Sequence, residues 1–252
     1  VPSVVGRLVT DYDSVAKLEV PDLTKGRVPQ YLLANKLAAE NITDKPTLAG
    51  CIGPFSLAGR LFDMTEIMMA CYVEPQTIEL LLQKCTEFIK KYCLELKKVG
   101  ANGVVIAEPA AGLLSNDDCL KFATPYLKEI IEAVQDESFI VVLHNCGNTG
   151  HCTQSMVATG AWAQHFGNKI DMVKALEDTP SEMLVMGNLD PVALFKVASP
   201  AEMKAATAEL LERTKDYNNF VLSSGCDTPP EVPAANIVAF YEALDEFNAK
   251  RA

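Results

Sequence analysis

Positive charge is scarce in this 252-residue chain, in which 22 lysines and arginines face 33 aspartates and glutamates and leave a net charge of −11. No lysine–arginine cluster forms a basic stripe, so a nucleic acid is not expected as a partner. Long apolar runs are also absent, which argues against a membrane-spanning helix, and no signal peptide is evident at the start.

Low-complexity segments, internal repeats and linkers are missing as well. The chain is 49% hydrophobic and 22% charged, a composition typical of globular proteins. No Gly-x-Gly-x-x-Gly motif follows an apolar run, so the fingerprint of dinucleotide binding is absent. The length suits one large α/β domain, and we expect residues 1–252 to form a single domain.

Disulfide bonds are not expected, although the chain has eight cysteines. Cys85 and Cys93 lie inside a helical pattern, and the chain is longer than a typical disulfide-rich domain. Reduced thiols in a cytoplasmic protein are the better interpretation, with most of the eight acting as small core residues.

Six short apolar runs predict buried strands. Their residues do not alternate between apolar and polar, as is typical of parallel strands covered by helices. The runs are 47–52, 103–107, 139–143, 161–165, 183–187 and 220–223, with a seventh candidate at 3–9.

Helical patterns separate these runs. Apolar residues recur at helical spacing between Ile78 and Leu96, and further helices are predicted at 117–134, 200–216 and from about Pro233 onward. Pro125 should kink or restart the helix in which it falls. Alternating strands and helices predict a parallel sheet, and the polar residues directly after the strands favour a (β/α)8 TIM-type barrel.

The segment His144-Asn145-Cys146-Gly147 follows one predicted strand, and Cys226 follows the last one. Residues i and i+2 of a strand point to the same side, so His144 and Cys146 can face one cavity. With Cys226 they would form a His/Cys/Cys set, which suits a catalytic zinc ion with an open fourth position. The alternative is that the cysteines are packing residues and the histidine a hydrogen-bonded core residue.

Glu108 and His165 also follow predicted strands. Glu108 can bind metal, accept a proton or anchor a substrate, and capping of a nearby helix is an equal alternative. His165 can contact substrate or support a metal ligand, while a purely structural histidine is somewhat favoured. His151 and Cys152 are expected in a helix after Gly150, on different faces, and not as ligands.

Two turns carry the remaining candidates: 53–56, with Gly53 and Phe55, and 187–191, with Gly187, Asn188 and Asp190. In each, glycine permits close backbone approach and a polar residue stands at a predicted helix start. The turns predict either helix caps or a pocket of backbone N–H groups for an anionic substrate or cofactor.

Five segments resemble the uroporphyrinogen decarboxylase superfamily, and the resemblance extends from about residue 20 to the end. They are 53–55, 110–115, 144–147, 187–191 and 229–240. The resemblance implies a (β/α)8 barrel with its site at the carboxyl ends of the strands. It also implies that the chain lacks roughly the first quarter of a family member, including at least one barrel strand.

The His-x-Cys with the distant Cys226 is similar to the branch of methylcobamide:coenzyme M methyltransferases. That branch implies Zn²⁺ held by His144, Cys146 and Cys226, a methylcobamide as methyl donor, and a small thiol as acceptor. It also implies a corrinoid, free or on a carrier protein, at the barrel mouth, with Glu108 and Asn188 as candidate polar contacts. The fourth ligand stays open between water, Glu108 and a residue outside the chain.

Two alternatives remain. One is a metal-free decarboxylase of porphyrinogen carboxylates, which would need a local basic pocket although only five scattered arginines are available. The other is a non-catalytic protein that binds a corrinoid or tetrapyrrole. The thiol acceptor, the upstream methyl donor and the oligomeric state, including a homo-oligomer, are left open.

Overall fold

The computed structural model describes residues 5–251 and contains one parallel sheet. Its six strands are hydrogen-bonded in chain order, from β1 to β6. Each strand pairs in parallel with the next one along the chain, which requires a crossover connection between every two strands. The strands are β1 Leu48–Ile52, β2 Gly103–Ala107, β3 Ile140–Asn145, β4 Ala163–Phe166, β5 Leu184–Leu189 and β6 Phe220–Ser224.

Eleven α-helices are described within residues 5–251, and most of them form these connections. They are α1 Tyr12–Lys17, α2 Val28–Asn41, α3 Pro54–Phe62, α4 Met64–Val73, α5 Pro75–Lys98, α6 Asn116–Phe122, α7 Thr124–Val134, α8 Thr153–Val157, α9 Met172–Glu177, α10 Pro200–Thr214 and α11 Ala234–Ala249. A 3-10 turn, Pro109–Leu113, follows β2, and a short π-helical turn, Ala193–Val197, follows β5. None of the described helices is long and apolar enough to cross a membrane.

The longest helix shows how sequence pattern becomes packing. Helix α5 begins at Pro75, whose fixed φ and missing N–H suit a first helical position. One face of the helix is buried, and Lys97 and Lys98 complement the dipole at its carboxyl end. The buried side chains of α5 belong to one continuous core with those of the strands, so the core lies between the sheet and its helices.

The six predicted strands are confirmed, with ends that shift by at most two residues. The seventh candidate, 3–9, is wrong for the described part: residues 3 and 4 lie outside the described residues, and residues 5–9 form no strand. Pro125 does restart a helix, because α6 ends at Phe122 and α7 begins at Thr124. Helix α8 begins only at Thr153, so His151 and Cys152 precede it instead of lying within it.

Six consecutive parallel strands, joined by connections that contain helices, form the α/β architecture of a TIM-type barrel. Within residues 5–251, β1 and β6 are the two ends of the sheet and pair with one neighbour each. The carboxyl ends of all six strands lie at one end of the sheet because all pairings are parallel. The strand-end residues predicted to carry chemistry therefore face a common region.

Candidate metal centre

The side chains of His144, Cys146 and Cys226 converge at the carboxyl end of the sheet. One donor atom from each lies within 4.8 Å of the others, and the His144 Nε2 is 3.6 Å from the Cys226 Sγ. His144 is in β3, Cys146 follows that strand, and Cys226 follows β6. The predicted juxtaposition of these three residues is present in the structure, while zinc binding by them stays a prediction.

The donor set fits a zinc ion. Zinc bonds of about 2.0 Å to nitrogen and about 2.3 Å to sulfur place neighbouring donors about 3.5 Å to 3.8 Å apart in a tetrahedron. The 3.6 Å between nitrogen and sulfur falls in that range, and with all three donors within 4.8 Å of one another a shift of about 1 Å would close the set around one ion. Three protein ligands would leave the fourth position for a substrate, as in catalytic sites.

The segment after β3 is braced so that Cys146 turns toward the cluster. The Asn145 side-chain oxygen accepts hydrogen bonds from the backbone N–H groups of Gly147 and Asn148, each at 3.0 Å. Asn145 is 2% exposed and lies on the opposite side of the strand from His144. His144 and Cys146 thus point into the site, while Asn145 points to the other side of the strand and holds the turn at residues 146–148.

His144 contacts His165 on the neighbouring strand, because these residues are directly paired in the β3–β4 register. Their Nδ1 atoms are 2.6 Å apart, and the His165 Nε2 is 3.1 Å from the Ser223 Oγ. Burial lowers the pKa of His144, and burial together with the adjacent His144 lowers the pKa of His165 to about 4. Both rings are therefore neutral at neutral pH, the form in which imidazole binds metals.

Burial and the neighbouring Cys226 raise the pKa of the Cys146 thiol to about 11. Without a cation this thiol stays protonated at neutral pH, so metal binding would release a proton.

A cavity of about 670 Å³ opens in front of the cluster. Its walls come from β1, β2 and the segments after β2, β3 and β6, and none of its lining residues is a lysine or arginine. Asp227, next to Cys226, is the one charged residue among those that line it. The cavity therefore suits an apolar or neutral group beside the three donors better than a polyanion.

Glu108 is buried, with 1% exposed, and points to the start of helix α3. Its two oxygens accept hydrogen bonds from the backbone N–H groups of Phe55, at 2.9 Å, and Ser56, at 2.6 Å. A Cβ at Gly53 would stand 2.4 Å from the Glu108 Oε2, so glycine permits this approach. The structure gives Glu108 a capping contact, and its direct part in chemistry stays a prediction.

The other predicted contacts lie in the turns, where they support the backbone. Phe55 is fully buried in the core. The Asn188 amide donates to the carbonyls of Gly167, at 3.0 Å, and Ile170, at 2.7 Å, and so holds the loop after β4. Asp190 accepts from the backbone N–H groups of Val192 and Ala193. Cofactor contacts by Gly53, Phe55, Gly187 and Asp190 stay predictions.

Two features of the site are not evident from the sequence. Ser223 was treated as part of an apolar strand, although a hydroxyl in such a run is a signal that it has a polar partner. Asp227 directly follows a proposed ligand in the sequence, and the structure shows that it also lines the cavity. Neither contact can be located without knowing which strands are neighbours.

The chain is similar in sequence to methyltransferases and to decarboxylases. The chain is 30% identical to the methylcobamide:CoM methyltransferase MtbA of Methanosarcina acetivorans, over 98% of its own length and 72% of the relative. It is 32% identical to the uroporphyrinogen decarboxylase of Chlorobaculum parvum, over 94% of its own length and 70% of that relative. The two similarities are close enough that identity alone does not separate the branches.

Solved structures give the same fold. A methyltransferase from Methanosarcina mazei superposes with a TM-score of 0.88 at 28% identity, over 98% of this chain and 72% of that one. A B12-independent methionine synthase from Shewanella sp. W3-18-1 reaches a TM-score of 0.63 at 16% identity, over 86% of this chain and 67% of that one, and supports the fold alone. Since the family model of uroporphyrinogen decarboxylase matches residues 1–247, the chain belongs to the uroporphyrinogen decarboxylase family.

Proposed function

We propose that this protein is a zinc-dependent methyltransferase that moves a methyl group from a methyl-corrinoid to a small thiol of the coenzyme M type. The observation that carries the proposal is the cluster of His144, Cys146 and Cys226, whose donor atoms lie within 4.8 Å of one another at the barrel mouth. Similarity to proteins named methylcobamide:CoM methyltransferase supports it.

The three residues would hold the ion through one imidazole nitrogen and two thiolates. Zinc bound there would lower the pKa of an incoming thiol and present it as a nucleophile at neutral pH. Two thiolates and a neutral imidazole would balance the charge of the ion, and the open fourth position would still accept the acceptor thiolate.

The protein's own residues would position the reactants. The cavity beside the cluster has room for a small acceptor next to the three donors. The corrinoid would lie over the mouth, where the segments after β2, β3 and β6 meet. Glu108 would tether the segment after β2 to helix α3, and Asn188 would hold the neighbouring loop after β4.

A metal-free decarboxylase is the second candidate, favoured by the similarity to the Chlorobaculum parvum enzyme. A tetrapyrrole with several carboxylates would need basic side chains near the reacting group. Among the residues described, no arginine or lysine lines the cavity. The structure therefore favours the methyltransferase, and it also favours an enzyme over a protein that only binds the ring, because three metal donors are brought together.

The test is zinc content by mass spectrometry together with methyl transfer from methylcobalamin to coenzyme M. We expect about one zinc per chain in the wild type, and we expect Cys226→Ser to lose it together with at least about 100-fold in transfer rate. Cys71→Ala removes a buried thiol in helix α4, outside the cluster, and should keep both.

Wild-type turnover by Cys226→Ser without zinc would exclude the proposed mechanism. Absence of zinc from both proteins, with decarboxylation of uroporphyrinogen, would establish the second candidate. Zinc and corrinoid binding without any transfer would point to the non-catalytic binding protein.

A further inference from the structure

A chain of hydrogen-bonded side chains connects His144, one of the proposed zinc ligands, with strand β6. It begins at the His144 Nε2, which faces the Cys226 Sγ, and passes through the two facing Nδ1 atoms to the His165 ring. From the His165 Nε2 it reaches the Ser223 Oγ, which in turn lies 3.1 Å from the backbone oxygen of Ser224. We call these groups of His144, His165 and Ser223 the imidazole relay.

The backbone carbonyl of Ser224, at the β6 end of the relay, decides which atom donates in each hydrogen bond. The Ser224 oxygen can only accept, so the Ser223 hydroxyl must donate to it. The Ser223 oxygen then accepts from the His165 Nε2–H, which leaves the His165 Nδ1 as an acceptor. That atom is 2.6 Å from the His144 Nδ1, which must therefore carry the hydrogen.

A second carbonyl gives the same direction independently. The His144 Nδ1 is also 3.3 Å from the backbone oxygen of His165, another group that can only accept. Both carbonyls thus require a hydrogen on the His144 Nδ1. In a neutral ring this leaves the Nε2 with a free lone pair, and that atom is the one directed at Cys226.

We infer that Ser223 and His165 are positioning residues, which fix the tautomer of His144 so that its Nε2 lone pair is available to a metal ion. This inference rests on the proposed zinc site for its purpose, whereas the tautomer itself follows from the hydrogen bonds alone. Groups that orient a metal-binding histidine through its other nitrogen commonly change metal affinity by about 10-fold to 100-fold.

The fold explains why these residues meet. His144 and His165 are paired across β3 and β4, and Ser223 is paired with Asn188 across β5 and β6. The curvature of the sheet brings β6 within hydrogen-bonding reach of β4 on the inner side, where the His165 ring bridges from one to the other. The relay is therefore built from strands, which hold it more rigidly than loops would.

The tautomers can be read by nitrogen NMR of the 252-residue chain labelled at histidine. The chain has only three histidines, and His151→Gln assigns the signal that belongs to neither relay ring. Without added metal, we expect the hydrogen of His144 on Nδ1 and that of His165 on Nε2. A His144 ring with its hydrogen on Nε2 would overturn the inference.

The second test compares Ser223→Thr with Ser223→Val, which differ by a hydroxyl at nearly equal volume. Zinc affinity, measured by competition with a chromophoric chelator, should be about 10-fold to 100-fold weaker in Ser223→Val and close to wild type in Ser223→Thr. Equal affinities in the two variants would refute the positioning role. If the wild type binds no zinc, the proposed function fails, and the labelled spectra still decide the direction of the relay.

Discussion

Glu108 is the one carboxylate that is buried among residues 5–251. Burial raises its pKa to about 7 from an ordinary 4.5, although hydrogen bonds from Ser56 and Phe55 oppose the shift. The unfolded chain would lose this proton near pH 4.5, while the folded protein keeps it up to about pH 7. The folded state thus binds more protons between these values.

We therefore predict that Glu108 lowers the free energy of unfolding as the pH rises from 4.5 to 7, by at most about 3 kcal/mol. The buried His144 and His165 contribute with the opposite sign in part of this range, because their pKa values are lowered. The difference between the wild type and Glu108→Gln isolates the Glu108 contribution. Urea unfolding at several pH values measures it.

Glu202→Gln is the matched control, since Glu202 is a capping carboxylate at the start of α10 with an exposed side chain. The Ser199 hydroxyl and backbone lower its pKa, so its removal should alter the pH dependence in the other direction. Parallel stability curves for wild type and Glu108→Gln between pH 4.5 and 7 would show that Glu108 does not titrate as described.

At this scale, much of the candidate site could be predicted from the sequence. Residues i and i+2 of a strand share one side, which places His144 and Cys146 together. The carboxyl ends of parallel strands lie at the same edge of a sheet, which places Cys226 near them. For Glu108 the sequence left two alternatives, and the contact with α3 depends on which helix start faces β2. The partner of Ser223 could not be predicted, because it lies two strands away.

At the scale of elements, the apolar runs identified all six strands because each is bounded by polar or turn-forming residues. Their ends were less well defined, since β3 and β5 continue into polar residues such as Asn145 and Asn188 that the site requires. Helix α8 begins later than the sequence predicts because Asn148 holds the preceding turn, where its side-chain oxygen accepts from the N–H groups of Gly150 and Cys152.

The 3-10 turn after β2 packs directly against the segment after β3. A Cβ at Gly112 would stand 2.3 Å from the carbonyl carbon of Gly147 and 2.7 Å from the Asn145 side-chain oxygen. These are backbone atoms and a hydrogen-bonded group, so they cannot move aside independently. Gly147 directly follows Cys146, and a displacement there would change the position of a proposed ligand.

We predict that Gly112→Ala destabilises the protein by about 1 to 3 kcal/mol, a typical cost of overpacking, and weakens zinc binding. Thermal unfolding and chelator competition measure the two effects. Gly50→Ala in β1 is the control, since no atom lies within 4 Å of the added Cβ and its backbone needs no positive φ. A Gly112→Ala protein with unchanged stability and zinc affinity would contradict this packing argument.

At the scale of the whole molecule, strand–helix alternation predicted a parallel sheet but not how far it closes. Closure depends on whether the first and last strands pair, and a local pattern carries no information about that contact. The described residues contain six strands, and the chain spans 72% of the length of the MtbA relative. Strand β1 is left at one end of the sheet, next to a helix α2 that has no buried residue.

Within residues 5–251 the outer edge of β1 has no strand partner, and such an edge beside apolar side chains favours pairing between molecules. We therefore predict that the 252-residue chain self-associates. Leu33 and Leu37 of α2 are 56% and 50% exposed and lie one turn apart. We expect Leu33→Glu with Leu37→Lys, an ion pair that suits a helix, to reduce association in sedimentation velocity runs over a range of concentrations without loss of stability.

The control is the pair Val192→Glu with Val197→Lys, near the turn after β5. It changes exposed apolar residues far from β1 in the sheet order and should leave association as in the wild type. A wild type that stays monomeric at the highest concentration, or equal effects of both pairs, would show that this end of the sheet does not mediate association.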